Sequence, residues 1–322
     1  MKVVIPGGSG QVGTMLGWAF SSEGHEVVEL TRGRRNQTRP WRVERWDGRT
    51  LGPWAYEIDG ADVVINLAGR SVNCRYGAKN RRRIMKSRVN SARVVGNAIA
   101  VAKRPPRVWL QASTATIYAH RYDAANDEAT GIIGGSEPGV PETWRFSTDV
   151  AKAWEAAVAE AGPLPGTRRV LMRSAITLSP DEGGIFDMLL RLVRLGLGGQ
   201  AGDGRQYVSW VHEGDFIAAV RWILSHEELS GPVNIASPEP VPNEEFMRVL
   251  RKAWGKRIGL PASKWMLELG AMALRTETEL ILKSRRVTPG RLLGSGFEFE
   301  FARWEDAARE LCAWRRGGRY EV

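Results

Sequence analysis

The sequence predicts an α/β protein built on a doubly wound parallel sheet, with a smaller α/β lobe toward its C-terminal end. Three observations predict it. The first twenty residues read as strand, glycine turn and helix. Further β-branched runs, at 25–30 (HEVVEL), 61–69 (ADVVINLAG) and 169–172, alternate with stretches of helical periodicity. Beyond Pro180 the alternation becomes irregular, as it does where insertions after the strand ends build a second lobe.

The 322 residues, 43% of them hydrophobic, are enough to bury one large core with a smaller lobe attached. No apolar run is long enough to span a bilayer and the N-terminus enters a strand directly, so the expectation is a cytoplasmic protein without a membrane partner. Cys74 and Cys312 have neither disulfide-framework nor zinc spacing, and no metal site is expected. A net charge of +10 raises the question of nucleic acid. The densest basic run, 79–83 continuing through Lys86 and Arg88, shares its stretch with Met85, Val89, Ala92, Val95 and Ile99 at helical spacing. Its charges therefore read mostly as a solvated helix face, and no nucleic-acid partner is expected.

Lys2–Pro6 (KVVIP) is followed at once by GGSGQVG and an apolar-periodic stretch over 12–20. Gly7, Gly10 and Gly13 stand in G-x-x-G-x-x-G spacing, where absent side chains permit a tight turn, close approach to a pyrophosphate and helix-on-strand packing. Gln11 and Val12 open the helix, whose N-terminus carries partial positive charge. This is the Rossmann arrangement, and it predicts a dinucleotide. After the second strand come Thr31, Arg32, Gly33, Arg34 and Arg35, with no acid beyond Glu29. An acid near there would bind the adenosine ribose, whereas a guanidinium pairs with a 2′-phosphate; Arg32 thus points to NADP(H). The run at 61–69 ends in Leu67, Ala68 and Gly69, small enough at its tip for the chain to pass close to a cofactor. Trp46 and Asp47 are read either as a cover for the adenine or as ordinary packing.

These residues resemble the extended branch of the short-chain dehydrogenase/reductases, within the NAD-dependent epimerase/dehydratase superfamily. In particular they resemble its atypical epimerase-like family with a C-terminal domain of unknown function. The likeness is carried in order by GGSGQVG at 7–13, NLAG at 66–69, SRVNSARVV at 87–95, STATIY at 113–118, AWEAA at 153–157, SWVHEGD at 209–215, GPVN at 231–234 and RVTPGRLLGSGFEF at 286–299. It implies an NADP(H)-binding domain over 1–178, to which 209–236 returns, and a substrate lobe over 179–208 and 237–322. It also implies a cofactor role for Ser87, Ser113, Ser174 and Ile176, and places Thr114 where the family's catalytic Ser/Thr lies. The family's acid/base pair, YxxxK with a glutamate eight residues after the Tyr, falls on Ser147 and Ala151 when anchored on Glu155. Neither can do that chemistry, since an alkyl hydroxyl is a weaker acid than a phenol and alanine carries no charge. Tyr118, following Thr114, is read either as a substitute or as pocket lining. Lys152 is read as a helix-surface lysine, rotated about 100° from the required face.

In the second lobe, 186–195 reads as a helix ended by Gly196, followed by a glycine-rich loop. Arg205 and Gln206 of that loop are expected at the substrate, with Trp210 and His212 along the wall. Asn243 with Glu244 and Glu245 reads as a capped helix start running to Trp254. Helices are expected near 264–274 and 277–283, a strand at 297–301, and an active-site cover in the loop 119–145. The functional expectation is an NADP(H)-dependent oxidoreductase or epimerase acting on a small hydroxyl or carbonyl substrate, with Thr114 and Tyr118 at the reacting centre. The alternative is a silent NADP(H)-binding sensor. Related folds pair through helices, so a homodimer is among the expectations.

Overall fold

The computed structural model describes residues 1–33, 38–273 and 277–317. Its main sheet has seven strands, all paired in parallel: β1 (Lys2–Pro6), β2 (Glu26–Thr31), β3 (Arg42–Arg45), β4 (Val63–Asn66), β5 (Val108–Thr114), β6 (Arg168–Ser174) and, arriving much later in the chain, β10 (Gly231–Ile235). Their spatial order is β10-β6-β5-β4-β1-β2-β3. The chain runs outward from β1 to β3, then returns to β4 and builds in the other direction. That reversal opens a crevice at the C-terminal ends of β1 and β4, where sheets of this kind bind ligands. Arg34 and Arg35 lie outside the described residues.

Alternation along the strands sorts side chains to two faces. Val3, Ile5, Val63, Ile65 and Leu110 pack under α1 (Gln11–Ser22) and α5 (Glu213–Ser225), meeting Leu16, Phe20 and Phe216. Val4, Val28, Val64 and Trp109 face α2 (Ala78–Val101) and α3 (Glu142–Ala159), meeting Ala92, Val95, Ile99 and Trp154. No described helix is long and apolar enough to cross a membrane. On α2, Lys79, Arg82, Arg83, Lys86 and Arg93 are exposed, whereas Arg88 turns inward.

The smaller elements are two strand pairs and six helices. β7 (Ile176–Leu178) runs parallel to β9 (Trp210–His212), and β8 (Tyr207–Val208) runs antiparallel to β11 (Val241–Pro242). The helices are α4 (Ile185–Arg194), α6 (Asn243–Trp254), α7 (Lys264–Ala273), α8 (Glu279–Leu282), α9 (Gly290–Gly294) and α10 (Trp304–Arg315). A separate cluster of Phe186, Leu190, Trp210, Phe246, Trp304 and Leu311 joins α4, α6 and α10 to β9. α6 stops at Gly255, whose φ of 76° a glycine adopts without strain.

Three expectations need correction. Asn243 is the first residue of α6 and does not cap it; its side-chain oxygen accepts the Ala201 amide at 2.8 Å and so ties a loop to the helix start. Residues 297–301 form no strand, because the amides of Glu300 and Phe301 are taken by the two Asp215 carboxylate oxygens at 2.9 and 3.0 Å. α3 begins at Glu142, straight after Pro141, so the cover loop is shorter than 119–145. Leu274, where one helix was expected to end, lies outside the described residues.

Candidate functional site

The glycines after β1 do three different things. Gly7 has φ +79°, and a Cβ there would stand 2.6 Å from Ala68 Cα, so the loop crosses the chain leaving β4 at backbone contact. Gly13 presses α1 onto the loop, since its Cβ would lie 2.5 Å from Gly8 Cα. Gly10, the N-cap of α1, faces open space, with only Gly7 O at 3.8 Å from a Cβ. No acid occupies the first turn of α1. Gln11 Nε2 there is buried without a hydrogen-bond partner among the described residues, and Val12 packs against the core. The result is an amide-lined recess suited to an anion.

Beside it, Thr31 Oγ1 donates to Ser9 Oγ at 3.2 Å and accepts the Gly33 amide at the same distance. Arg32 is exposed. Glu29, the acid nearest the strand end, is buried and accepts from Trp41 Nε1 at 3.2 Å. It therefore serves packing rather than a ribose. Arg39, which the sequence reading passed over, reaches back to donate to Thr14 Oγ1 at 2.8 Å, bringing a second guanidinium to the start of α1. Its signal lay in the chain, as one more basic residue of the stretch after β2. Trp46 is buried edge-on against Trp54, which fits the packing alternative. Asp47 closes a turn by accepting the amides of Thr50 and Arg49 and the Thr50 hydroxyl, and the Thr50 amide first among these holds its carboxyl below the usual range.

The loop after β4 is ordered from within. Asn66 accepts the Ala68 amide at 3.1 Å and donates to Gln111 at 2.9 Å. Leu67 packs on the core, and Gly69 leaves room for Arg88, whose guanidinium carbon would be 3.2 Å from a Cβ. Arg88 donates to Arg70 O at 2.9 Å and lies over the Trp154 ring; burial pushes its pKa down to about 10. Ser87 accepts the Arg70 amide at 2.9 Å, so its hydroxyl fixes the loop itself. Arg70 Nε is buried with no partner among the described residues.

At the far end of β5, Thr114 is half-buried and its Oγ1 accepts the Thr116 amide at 3.2 Å. Ser113 donates to Glu155 at 2.6 Å, and Glu155 forks onto Arg173 at 2.9 and 2.8 Å. Arg173 donates to the Tyr118 hydroxyl at 3.0 Å, which in turn donates to Asn234 at 2.9 Å. Tyr118 is 2% exposed, and burial pushes its phenol up. With donor and acceptor both used, that hydroxyl braces β5 against β6 and β10. Ser174 bonds weakly to Met172 O at 3.4 Å, and Ile176 opens β7 against the second core. Ala151 is fully buried among Ala115, Ile117, Tyr118 and Val287.

The substrate-lobe expectations fare unevenly. Arg205 is exposed, over the Tyr122 ring. Trp210 has no exposed surface; its indole donates to Glu239 O and its ring packs on Trp304, so it is core and not pocket wall. Gln206 is likewise buried, with Nε2 bonded to Ala201 O at 2.8 Å, and cannot meet a ligand. His212 caps α5 by accepting the Gly214 amide, and its other nitrogen meets Glu310 at 2.9 Å. In their place the structure brings Lys283 and Arg285, which sequence reasoning missed. Lys283 Nζ donates to Thr116 O at 2.8 Å and Arg285 Nε to Thr116 Oγ1 at 3.0 Å, two residues from Thr114. Burial first, and then Arg285, pushes Lys283 down to about 8. The only signal was the basic run at 283–286, which by itself reads as surface.

Residues 3–138 match the model of the NAD dependent epimerase/dehydratase family, and 262–311 match a domain of unknown function, DUF1731. An epimerase family protein of Bos taurus is 30% identical over 319 residues, covering 97% of this chain and all of the relative. This chain belongs to the epimerase family. Among solved structures, that of a human epimerase family protein with NADPH aligns with TM-score 0.82 and 27% identity, over 97% of this chain and 99% of the other. A nucleoside-diphosphate sugar epimerase from Corynebacterium glutamicum aligns with TM-score 0.74 and 26% identity, over 98% of this chain and 58% of the other. The extended short-chain dehydrogenase/reductase fold thus accounts for the sheet order of this family member and for the return of β10.

Proposed function

We propose that this protein binds NADP(H) in the glycine recess and uses it as an oxidoreductase or epimerase on a small hydroxyl or carbonyl compound. One observation carries the reading: Gly10 leaves open space at the recess and the first turn of α1 carries no acid, while two buried donors, Gln11 Nε2 and Arg70 Nε, have no partner among the described residues. An anionic ligand supplies what those donors need, because a buried unpaired donor is costly. A dinucleotide diphosphate fits that need. Gly7, whose own amide is bonded to Leu30 O at 2.8 Å, keeps the turn open, and Gly10, Gln11, Val12 and Gly13 hold the diphosphate by backbone amides; Thr31 and Arg32, with Arg39, take the 2′-phosphate end; Asp47 and residues 67–69 flank the adenosine. Ser87 steadies the Arg70 loop, and Ser113, Ser174 and Ile176 lie with Thr114 at the nicotinamide end. The relative solved with NADPH supports this choice of cofactor.

When bound, the nicotinamide supplies or accepts hydride. Thr114 orients the substrate oxygen, and Tyr118 holds the strand ends around it. The division into a cofactor domain over 1–178 with 209–236 and a substrate lobe over the rest belongs to the same reading. A silent NADP(H) sensor is favoured by Ser147 and Ala151 standing at the family's Tyr and Lys positions. The test is fluorescence titration with NADPH, followed by NADPH-driven reduction of phenanthrenequinone by wild-type and Thr114→Ala protein. Binding with turnover that falls in the variant is expected. Binding without any hydride transfer would establish the sensor instead.

A further inference from the structure

One surface among the smaller elements combines two features that neither the core nor the cofactor recess uses. Residues 195–202, after α4, and 258–262, after α6, run side by side. The Leu260 amide donates to Gly196 O at 2.8 Å, the Gly199 amide to Leu260 O at 3.1 Å and the Ala262 amide to Gln200 O at 2.9 Å. The approach is at backbone contact, since a Cβ on Gly199 would stand 2.4 Å from the Leu260 carbonyl. Leu260 thus lies opposite Gly196, between Leu195 and Leu197. The large side chains of this ribbon face outward: Leu195, Leu197, Ile258 and Leu260 are 72%, 49%, 75% and 59% exposed. A single exposed leucine is ordinary, but four aliphatic side chains on two paired segments make an apolar tip.

Positive charge stands at the foot of that tip. Arg248, Arg251, Lys252, Lys256 and Arg257 line a depression of about 400 Å³ at the end of α6. Arg251 Nη1 donates to Gly198 O at 2.6 Å and so fastens the ribbon to that end of the helix. Of the five cations, only Arg248 is ion-paired with an acid among the described residues, Glu245. Basic residues in the last turn of a helix answer its dipole, which accounts for Arg251 and Lys252. It does not account for Lys256 and Arg257, which follow the stop at Gly255 and lead directly to Ile258. Just past the ribbon, α7 adds exposed Trp265, Leu269 and Met272 at the spacing of one helix face.

An unpaired basic cluster beside an exposed aliphatic tip narrows the choice of partner. A second copy meeting this face about a two-fold axis would bring like charges together. Nucleic acid would answer the cations but leave the aliphatic side chains in water, since bases stack on aromatic rings and not on leucine. An anionic bilayer satisfies both features, because the tip enters the boundary between headgroups and acyl chains while the cations rest among headgroup phosphates. We propose that this face docks the protein on the surface of an anionic phospholipid membrane. The expectation of no membrane partner rested on the want of a spanning run, and no described helix spans; lying on a surface needs no such run.

The test is cosedimentation of the full chain with vesicles of phosphatidylcholine alone and of equal parts phosphatidylcholine and phosphatidylglycerol, over a range of salt. Saturable binding to the anionic vesicles that weakens as salt rises, with none to the neutral ones, is expected. Lys252→Glu, Lys256→Glu and Arg257→Glu combined should lower that affinity by roughly a hundredfold. Leu197→Gln with Ile258→Gln should lower it by about tenfold, at unchanged salt dependence. Every altered side chain is exposed, so both variants should melt with the wild type. Sedimentation velocity without lipid and titration with duplex DNA run alongside. Wild type that sediments with neither vesicle, or binding that survives both variants, overturns the proposal. A dimer that Leu197→Gln with Ile258→Gln dissolves, without vesicle binding, overturns it in favour of a second copy, and DNA binding without vesicle binding overturns it in favour of nucleic acid. Should a variant fail to fold, wild type alone decides: equal binding to both vesicles, whatever the salt, overturns it.

Discussion

The recess at Gly7 and the polar cluster at Thr114 both lie at the C-terminal ends of parallel strands, but they are built in opposite ways. The recess is local: one strand, four residues of turn and one helix, closed by the three residues after Asn66. What matters there is what is missing: Gly7 and Gly13 are required by close backbone approaches, and Gly10 leaves the recess open. The cluster is tertiary. Its polar groups come from Thr116, Ser147, Glu279, Lys283 and Arg285, with Arg285 bonded to Thr116 across 169 residues of sequence. What matters there is which side chains the fold delivers. The difference teaches that a family pattern can stay intact where contiguity encodes it and be rewritten where packing does.

The comparison can be broken at its frame. Arg173→Met leaves Glu155 buried without its guanidinium and strips Tyr118 of its donor. A loss of about 3–5 kcal/mol in urea unfolding is expected. A loss under about 1 kcal/mol would show that the Thr114 end does not depend on its buried polar network.

A second test uses pH. Lys283 is 2% exposed and its folded pKa of about 8 lies below its ordinary 10.5, so burial opposes the charged form. The unfolded chain binds more protons between those values, and stability therefore rises with pH across that window. The full cost is present below about 8. Relative to Lys283→Met, wild type should gain on the order of 3 kcal/mol between neutral pH and pH above 10, read from paired denaturation curves. A difference that stays flat would place Lys283 in water.

On the recess side, Gly7→Ala must hold an L side chain at φ +79° against Ala68. A stability loss of about 1–3 kcal/mol is expected, together with weaker NADPH binding. Unchanged melting and affinity would mean that the loop does not cross Leu67 and Ala68 so closely. The smallest effect is expected at the surface: Arg32→Asp should weaken NADPH by roughly tenfold while leaving NADH nearly untouched. Equal loss of both would remove Arg32 from phosphate recognition.

The same contrast decides how much was legible in the sequence. The parallel sheet, the glycine turn and α6 with its stop at Gly255 were readable because each is set by residues adjacent in the chain. So was the want of a phenol at 147 and of a lysine at 151. Residues 297–301 misled because alternating aromatics look like a strand, while their amides go to Asp215, which is far away in sequence. Gln206 and Trp210 misled because polarity and aromaticity in a glycine-rich loop resemble a binding wall until burial is known. Lys283 and Arg285 were invisible for the reverse reason: a basic run reads as solvated face unless a fold turns it inward.

The central claim is a phosphate-selective dinucleotide recess, and it is tested most directly by titrating the purified wild-type protein with NADPH and NADH while following nicotinamide fluorescence. Saturable binding of NADPH, at least about tenfold tighter than NADH, is the result expected from Arg32 and Arg39 beside the bare glycine turn. Folded protein that binds neither cofactor up to millimolar concentration would contradict it.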